Sequence, residues 1–316
     1  MIVIDSELTK TRITTGLNKR ASPPRIRQLP LPWVFLGPTI LVIGLLVIWP
    51  VLYSLYLSLN EVLIRGGEMT YRWKGFGNYA DLFVNPRFVK ALGQTAIFSA
   101  GHVVLVLIFS LGLATFLHET GRFEKVIQLF VLIPWGLSFV VNAVAWQWIY
   151  HGSFGVLNAI LKGLGVIEEY RSWLSDPNWA LVLLALAGVW KALSFPTLMI
   201  LAALKGVPED LMDAAKVDGG GIWVRFRHVT VPSVKPVLTV VMVLQTMWAL
   251  KTFDIVWTLT KGGPIDKSLL LSVFAYQQTF VYNDYGSGSA AAYVIFGLTL
   301  VLTMVYIRMM KLEELN

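Results

Sequence analysis

Six stretches of this chain are almost free of charge, and each is long enough to cross a lipid bilayer. They cover about residues 32–59, 89–117, 126–150, 179–204, 237–257 and 288–309. A helix needs roughly 20 apolar residues to traverse the hydrocarbon core. Inside lipid, every backbone N–H and C=O must be satisfied within the protein, which leaves helices or closed barrels. None of the six runs alternates with period two, so strands are not expected. Composition agrees, with 56% hydrophobic and 14% charged residues, against about 25% charged in soluble domains. The mean hydropathy is +0.65. The expected fold class is therefore all-α integral membrane.

The net charge is +7, but the basic residues form no single stripe, so nucleic acid is not an expected partner. They collect at span ends, where Lys and Arg orient a membrane protein. With the N-terminus inside, the cytoplasmic segments hold fifteen and the outer segments nine. Both termini are then expected in the cytoplasm, with three loops of about thirty residues facing outward. Residues 1–30 read as a polar cytoplasmic arm able to touch anionic lipid, not as a cleaved leader. Residues 31–316 read as one six-span domain. There is no cysteine, which removes disulfides and thiolate sites. The four histidines lack metal-ligand spacing.

One cytoplasmic segment, about 205–236, stands apart. It reads "LMDAAKVDGGGIWVRFRHVTVPSVKP" from Leu211 to Pro236. Pro208 suits the first turn of a helix, with Glu209 and Asp210 at its positive end. Leu211, Ala214 and Ala215 share one face. Gly219, Gly220 and Gly221 stop that helix and permit a sharp turn. Ile222, Trp223, Phe226 and Val229 give a second short helix an apolar stripe, which Pro232 and Pro236 are expected to end. Such an element fits two uses equally, an amphipathic hairpin on the membrane surface or a dock for a cytoplasmic protein.

Asp213-Ala214-Ala215, then Asp218-Gly219, Trp223, Phe226, Val229 and Val231-Pro232, resembles the "EAA" loop of binding-protein-dependent ABC importer permeases. That loop runs approximately E-A-A-x-x-D-G-A-x-x-W-x-x-F-x-x-I-x-L-P. Here Asp213 replaces Glu and Gly220 replaces Ala, a change expected to loosen the turn. The resemblance implies a six-helix ABC importer transmembrane domain whose cytoplasmic coupling helix seats in an ATPase subunit. Asp213, Ala214, Ala215, Asp218, Gly219, Trp223 and Phe226 would be its docking and turning residues. Four further segments are similar to the maltose-type carbohydrate branch. These are "FGNYADLF" (76–83), "WQWIYHGSFGVLNAIL" (146–161), "FDIVWTLTKGGP" (253–264) and "GSGSAAAYVIFG" (286–297). The layout is similar to the first of the paired sugar permeases. The implied partners are a sister permease, two ATP-binding subunits, an extracytoplasmic sugar-binding protein and membrane lipid, in a bacterial inner membrane.

No G-x-x-x-x-G-K-[ST] occurs, so no P-loop is expected in this chain. The resemblance puts ATP and Mg on the partner ATPase, with no cofactor, metal or catalytic residue here. Sugars are bound by hydrogen-bonding groups beside flat aromatic surfaces. In the fifth run Gln245, Trp248 and Lys251 recur every three residues, and Asp254 is expected to extend the row. Lys251 and Asp254 could equally form a structural ion pair. Asn142, Gln147, Trp190 and Lys191 are further candidates. The alternatives are a stand-alone secondary transporter, which would normally show repeats, broken helices or carboxylate relays, and a membrane-embedded transferase, which needs convergent catalytic groups.

Overall fold

The computed structural model describes residues 31–314, and the arm expected at 1–30 lies outside them. By its internal contacts the chain divides into two units, one ending at Pro50 and one beginning at Val51. In the first, the described residues form an apolar helix. Leu41, Leu45 and Leu46 on it are largely exposed, as a lipid-facing helix requires. That helix belongs to the first candidate span, Phe35–Ser58.

The second unit opens with an antiparallel hairpin that the hydropathy pattern does not announce. Strands β1 (Asn60–Arg65) and β2 (Glu68–Trp73) pair from Asn60 opposite Trp73 to Arg65 opposite Glu68. Gly66 and Gly67, at φ 61° and 87°, supply the left-handed two-residue turn that matches strand twist. The helix Gly77–Val84 follows. Buried Asn78 ties its start to the preceding chain by donating to the carbonyls of Ser58 and Asn60, each at 2.9 Å.

The second span, Pro86–Glu119, is one helix of 34 residues, or about 51 Å at 1.5 Å per residue. Asn85 caps it by accepting from the Arg87 amide at 2.9 Å, and Pro86 occupies the first turn. It runs between two cores. One holds Phe88, Phe98, Leu184, Leu271, Phe274 and Ala290. The other holds Ala114, Leu117, Ile200, Leu204 and Val234, near the loop 205–236.

The third and fourth expected spans are not continuous. Gly121–Gly136 and Phe139–Ile149 meet at a 99° bend, and Ala180–Ala192 and Ser194–Lys205 at 49°. At the first break Leu137 is extended, and Ser138 caps a fresh helix by accepting from the Val141 amide at 3.2 Å. At the second, Pro196 has no N–H for the Ala192 carbonyl, and its ring crowds that oxygen. Broken helices are therefore present, and their expected absence cannot serve to separate this chain from a secondary transporter.

The fifth span is displaced from its expected limits. It runs Ile222–Leu250 rather than 237–257. Pro232 and Pro236 do not end a loop helix; they lie within this one. The wider turn Phe226–Thr230, in which the Val231 amide reaches the Phe226 carbonyl, absorbs the bonds that Pro232 cannot make. At the other end Lys251 leaves the helix. The Thr252 hydroxyl binds the Trp248 carbonyl at 3.2 Å, and the Ser272 hydroxyl holds the Thr252 carbonyl. These side-chain bonds compete with the helical ladder, and Asp254 starts a separate helix, Asp254–Leu259.

The sixth span begins at Tyr285. A side chain at Gly286 would come within 2.6 Å of the Asn60 carbonyl oxygen, and one at Gly288 within 2.0 Å of Thr279 Oγ1. The small residues at its start permit close approach. The segment Trp146–Leu161 has a structural centre as well. Buried Asn158 donates to the carbonyls of His151, Gly152 and Arg171 and accepts from Trp173 Nε1 at 2.7 Å.

Candidate functional site

The loop and a cavity occupy opposite ends of the fifth span. In the loop, Glu209–Val217 is a helix with Pro208 as its N-cap, one position earlier than expected. Its end is a Schellman turn. The Gly220 amide donates to the Ala215 carbonyl at 2.9 Å and the Gly219 amide to Lys216 at 3.1 Å, with Gly219 at φ 76°. Gly220 does not loosen this turn. A Cβ there would lie 2.6 Å from the Ala215 oxygen, so the missing side chain lets the turn close. Asp213 pairs with Lys216 at 2.7 Å, but both are exposed, and such a pair contributes little.

The apolar face of the loop is uncovered within this chain. Leu211, Ile222 and Trp223 are half to three-quarters exposed. Ala214 and Asp218 are exposed, and Ala215 and Phe226 are half-buried. The Trp223 ring stacks on Phe226 with centroids 5.5 Å apart. Ile222–Leu250 is one continuous span of about 43 Å, so Trp223 lies on the same element as Gln245 and Trp248. The expected helix end at the prolines had hidden this continuity.

The cavity has a volume of about 650 Å³, within the range of small-molecule sites. Gln245, Trp248, Lys251, Asp254 and Asn142 all line it. The turn at Lys251 replaces the single helical row without removing Lys251 or Asp254 from the wall. No ion pair joins those two among the described residues, so the structural-pair alternative fails. Trp248 is half exposed, with Phe195 6.1 Å away between ring centroids. Gln147 and Trp190 lie outside this lining.

The cavity floor contains a residue that the sequence did not reveal. His102 is buried in the second span, with Nε2 3.4 Å from Gln245 Oε1. Gly188 leaves it room, since a Cβ there would sit 3.4 Å from His102 Nδ1. A lone histidine inside an apolar run was the only available signal. Three floor atoms lack a hydrogen-bond partner among the described residues: His102 Nδ1, Asn142 Oδ1 and Gln245 Nε2. Asn142 and Gln245 are each 1% exposed. Buried polar groups are rarely left unbonded, and the three residues belong to the lining of a cavity that also holds the rings of Trp135, Phe139, Phe195 and Trp248. The cavity thus combines hydrogen-bonding side chains with aromatic surfaces.

Beyond the fifth span, the loop at 260–270 is clamped. Arg87 makes two 2.9 Å bonds to the Asp266 carboxylate and a third to Gln277 at 3.1 Å. Arg87 thereby holds the Asp266 carboxyl below the usual range. Ile265 and Asp266 have left-handed backbones at φ 49° and 54°, and Lys90 binds the Ile265 carbonyl.

A helical membrane chain in which one helix runs from an uncovered amphipathic loop to a cavity of polar and aromatic side chains has the architecture of a membrane transport subunit. Solved chains share the fold. A bacterial alginate ABC transporter in complex with alginate pentasaccharide-bound periplasmic protein matches with TM-score 0.75 at 22% identity, covering 88% of this chain and 93% of that one. The chain belongs to the family of binding-protein-dependent transport system inner membrane components, which matches residues 106–312. It is 34% identical over 281 residues to the sulfoquinovosyl glycerol transport system permease protein SmoG of Agrobacterium fabrum, covering 89% of this chain and 90% of that one. It is 34% identical over 291 residues to the trehalose/maltose transport system permease protein MalF of Thermococcus litoralis, covering 92% and 97%. Family membership sets aside the stand-alone transporter and the transferase.

Proposed function

We propose that this chain forms half of the translocation pathway of an ATP-driven importer for a carbohydrate or carbohydrate derivative. The observation that carries this reading is the cavity lining, where His102, Asn142 and Gln245 sit among aromatic side chains. A sugar's hydroxyl groups suit polar side chains of this kind, and Trp248 offers a flat surface to its apolar ring face. The relatives named for sugars point the same way. Lys251 and Asp254 line the wall and would meet the solute's polar groups.

A sister permease supplies the other half of the pathway, and an extracytoplasmic binding protein delivers the solute. Two ATP-binding subunits, carrying ATP and Mg, dock on Asp213, Ala214, Ala215, Asp218, Gly219, Trp223 and Phe226. Their closure pushes the loop, and the Ile222–Leu250 helix carries the motion to the cavity. The loop is cytoplasmic in a bacterial inner membrane, with both termini inside. Each conformation must bind solute and partners unequally, since only differential affinity drives the cycle.

The test is ATP hydrolysis by the purified assembly in lipid, with and without binding protein and a panel of neutral and acidic sugars. Wild type is compared with Gly219→Asp and Ala215→Glu. Stimulation by loaded binding protein in wild type, and its loss in assembled variants, supports the reading. Folded variants that behave as wild type would remove the coupling role.

A further inference from the structure

The two broken spans meet at their breaks. Lys191 lies just before the second break, and its ammonium donates to three carbonyls at the first. These are Pro134 at 3.1 Å, Trp135 at 3.4 Å and Leu137. The Phe139 ring centroid lies 4.8 Å from the same nitrogen. The Ser194 hydroxyl closes the junction by donating to the Val131 carbonyl at 2.5 Å. Lys191 is 9% exposed and has no carboxylate partner among the described residues. The other titratable groups of the cavity wall, His102, Lys251 and Asp254, make no bond to it.

A buried cation without a counter-ion needs another source of negative potential. A helix C-terminus provides it, because its last carbonyls are unpaired and carry about half a negative charge. Carbonyls at broken membrane helices hold free cations such as Na⁺ in some transporters. Here the same cage is filled from within. We propose that the break in the third span is a monovalent-cation cage whose occupant is the chain's own Lys191 ammonium, and that this tethered cation positions Ser138 and Asn142 on the cavity wall.

The connection is short. Ser138 caps the helix that follows the cage, and the Asn142 amide binds the Ser138 carbonyl at 3.0 Å. Any swing of the break therefore moves Asn142. Without the ammonium, the Trp135 and Leu137 carbonyls would lose their shared donor, and the Pro134 carbonyl would keep only its 3.4 Å bond from the Leu137 amide. A tethered occupant also frees the cavity geometry from the ions in solution. Lys191 is a positioning residue whose hydrogen bonds run to backbone.

Only the use of the cavity rests on the proposed transport; the geometry is tested without a sugar. The chain has no cysteine, so Leu137→Cys, on the cavity wall beside the cage, is a reporter unique within this subunit. Its maleimide labelling rate is measured in liposomes holding the complete assembly and read on this subunit after electrophoretic separation from its partners. Backgrounds are Lys191, Lys191→Met and Lys191→Ala, in sodium, potassium or choline chloride. We expect a rate indifferent to the salt with Lys191 and several-fold altered in both variants. Butylammonium should restore Lys191→Ala, whereas butanol at equal concentration should not. A normal rate in Lys191→Met, which keeps the side-chain length, overturns the proposal, as does equal rescue by butanol. Absence of sugar-stimulated ATP hydrolysis in wild type would defeat the transport reading and leave this result standing.

Discussion

Three consecutive glycines close the loop helix, and the structure gives two of them different reasons to resist alanine and the third none. Gly219 sits at φ 76° with open space where a methyl group would go, so only its backbone resists substitution. A left-handed residue with a side chain costs about 1–2 kcal/mol. Gly220 has an ordinary φ, but its Cβ would lie 2.6 Å from the Ala215 oxygen. The turn must open there, with loss of the 2.9 Å bond from the Gly220 amide to that carbonyl. Gly221, at φ −63° and ψ 172°, has open space and an extended backbone. It should accept alanine without penalty. The assay is hydrogen exchange of the loop amides in the lipid-reconstituted assembly. A loss of about 1–2 kcal/mol raises local opening roughly 5- to 30-fold. Gly219→Ala and Gly220→Ala should show that acceleration at positions 219 and 220, Gly221→Ala should not, and Gly219→Asn should be milder than Gly219→Ala because Asn tolerates this conformation. Coupled ATP hydrolysis should fall in the same order. Equal effects at all three positions would refute turn geometry as the reason for the triplet.

Asn142→Leu removes an unbonded buried oxygen, so the thermal midpoint should hold or rise while solute affinity falls by about 1–3 kcal/mol; a clear drop in midpoint would contradict the unpaired floor. Trp223→Ala deletes an exposed ring and should weaken ATPase-subunit binding by about 2 kcal/mol or more, with the permease midpoint little changed, as a pull-down beside a melt would show. The Arg87 clamp lowers the folded-state pKa of Asp266 below 3.8. Its stabilisation is therefore complete above that value and fades as pH falls through the lowered one. Melting curves of wild type and Asp266→Asn should differ at pH 7 and converge on acidification below about pH 4, and a gap that widens in acid would sink the clamp.

Much of the site was legible because its signals are local. The glycines at 219–221 and the spaced Ala215, Trp223 and Phe226 mark a turn between two faces, and Gln245 and Trp248 fall on one helical face. His102 was hidden because a single polar residue in an apolar run carries no periodicity. Lys191 gave a charge without an address, since its three carbonyl partners lie more than fifty residues away. The prolines at 232 and 236 misled, because a wider helical turn precedes Pro232 and the helix continues through Pro236.

The sequence by itself determined that this chain enters a membrane as helices and presents a short amphipathic loop. Both follow from the transfer of apolar side chains and from residue-level backbone preferences, which need no distant partner. Only the tertiary structure decided where the spans break, which polar atoms converge on one cavity, and that one helix joins the loop to it. Those outcomes depend on side chains meeting across large sequence separations, where bonds such as Lys191 to Leu137 or Ser272 to Thr252 override local preference.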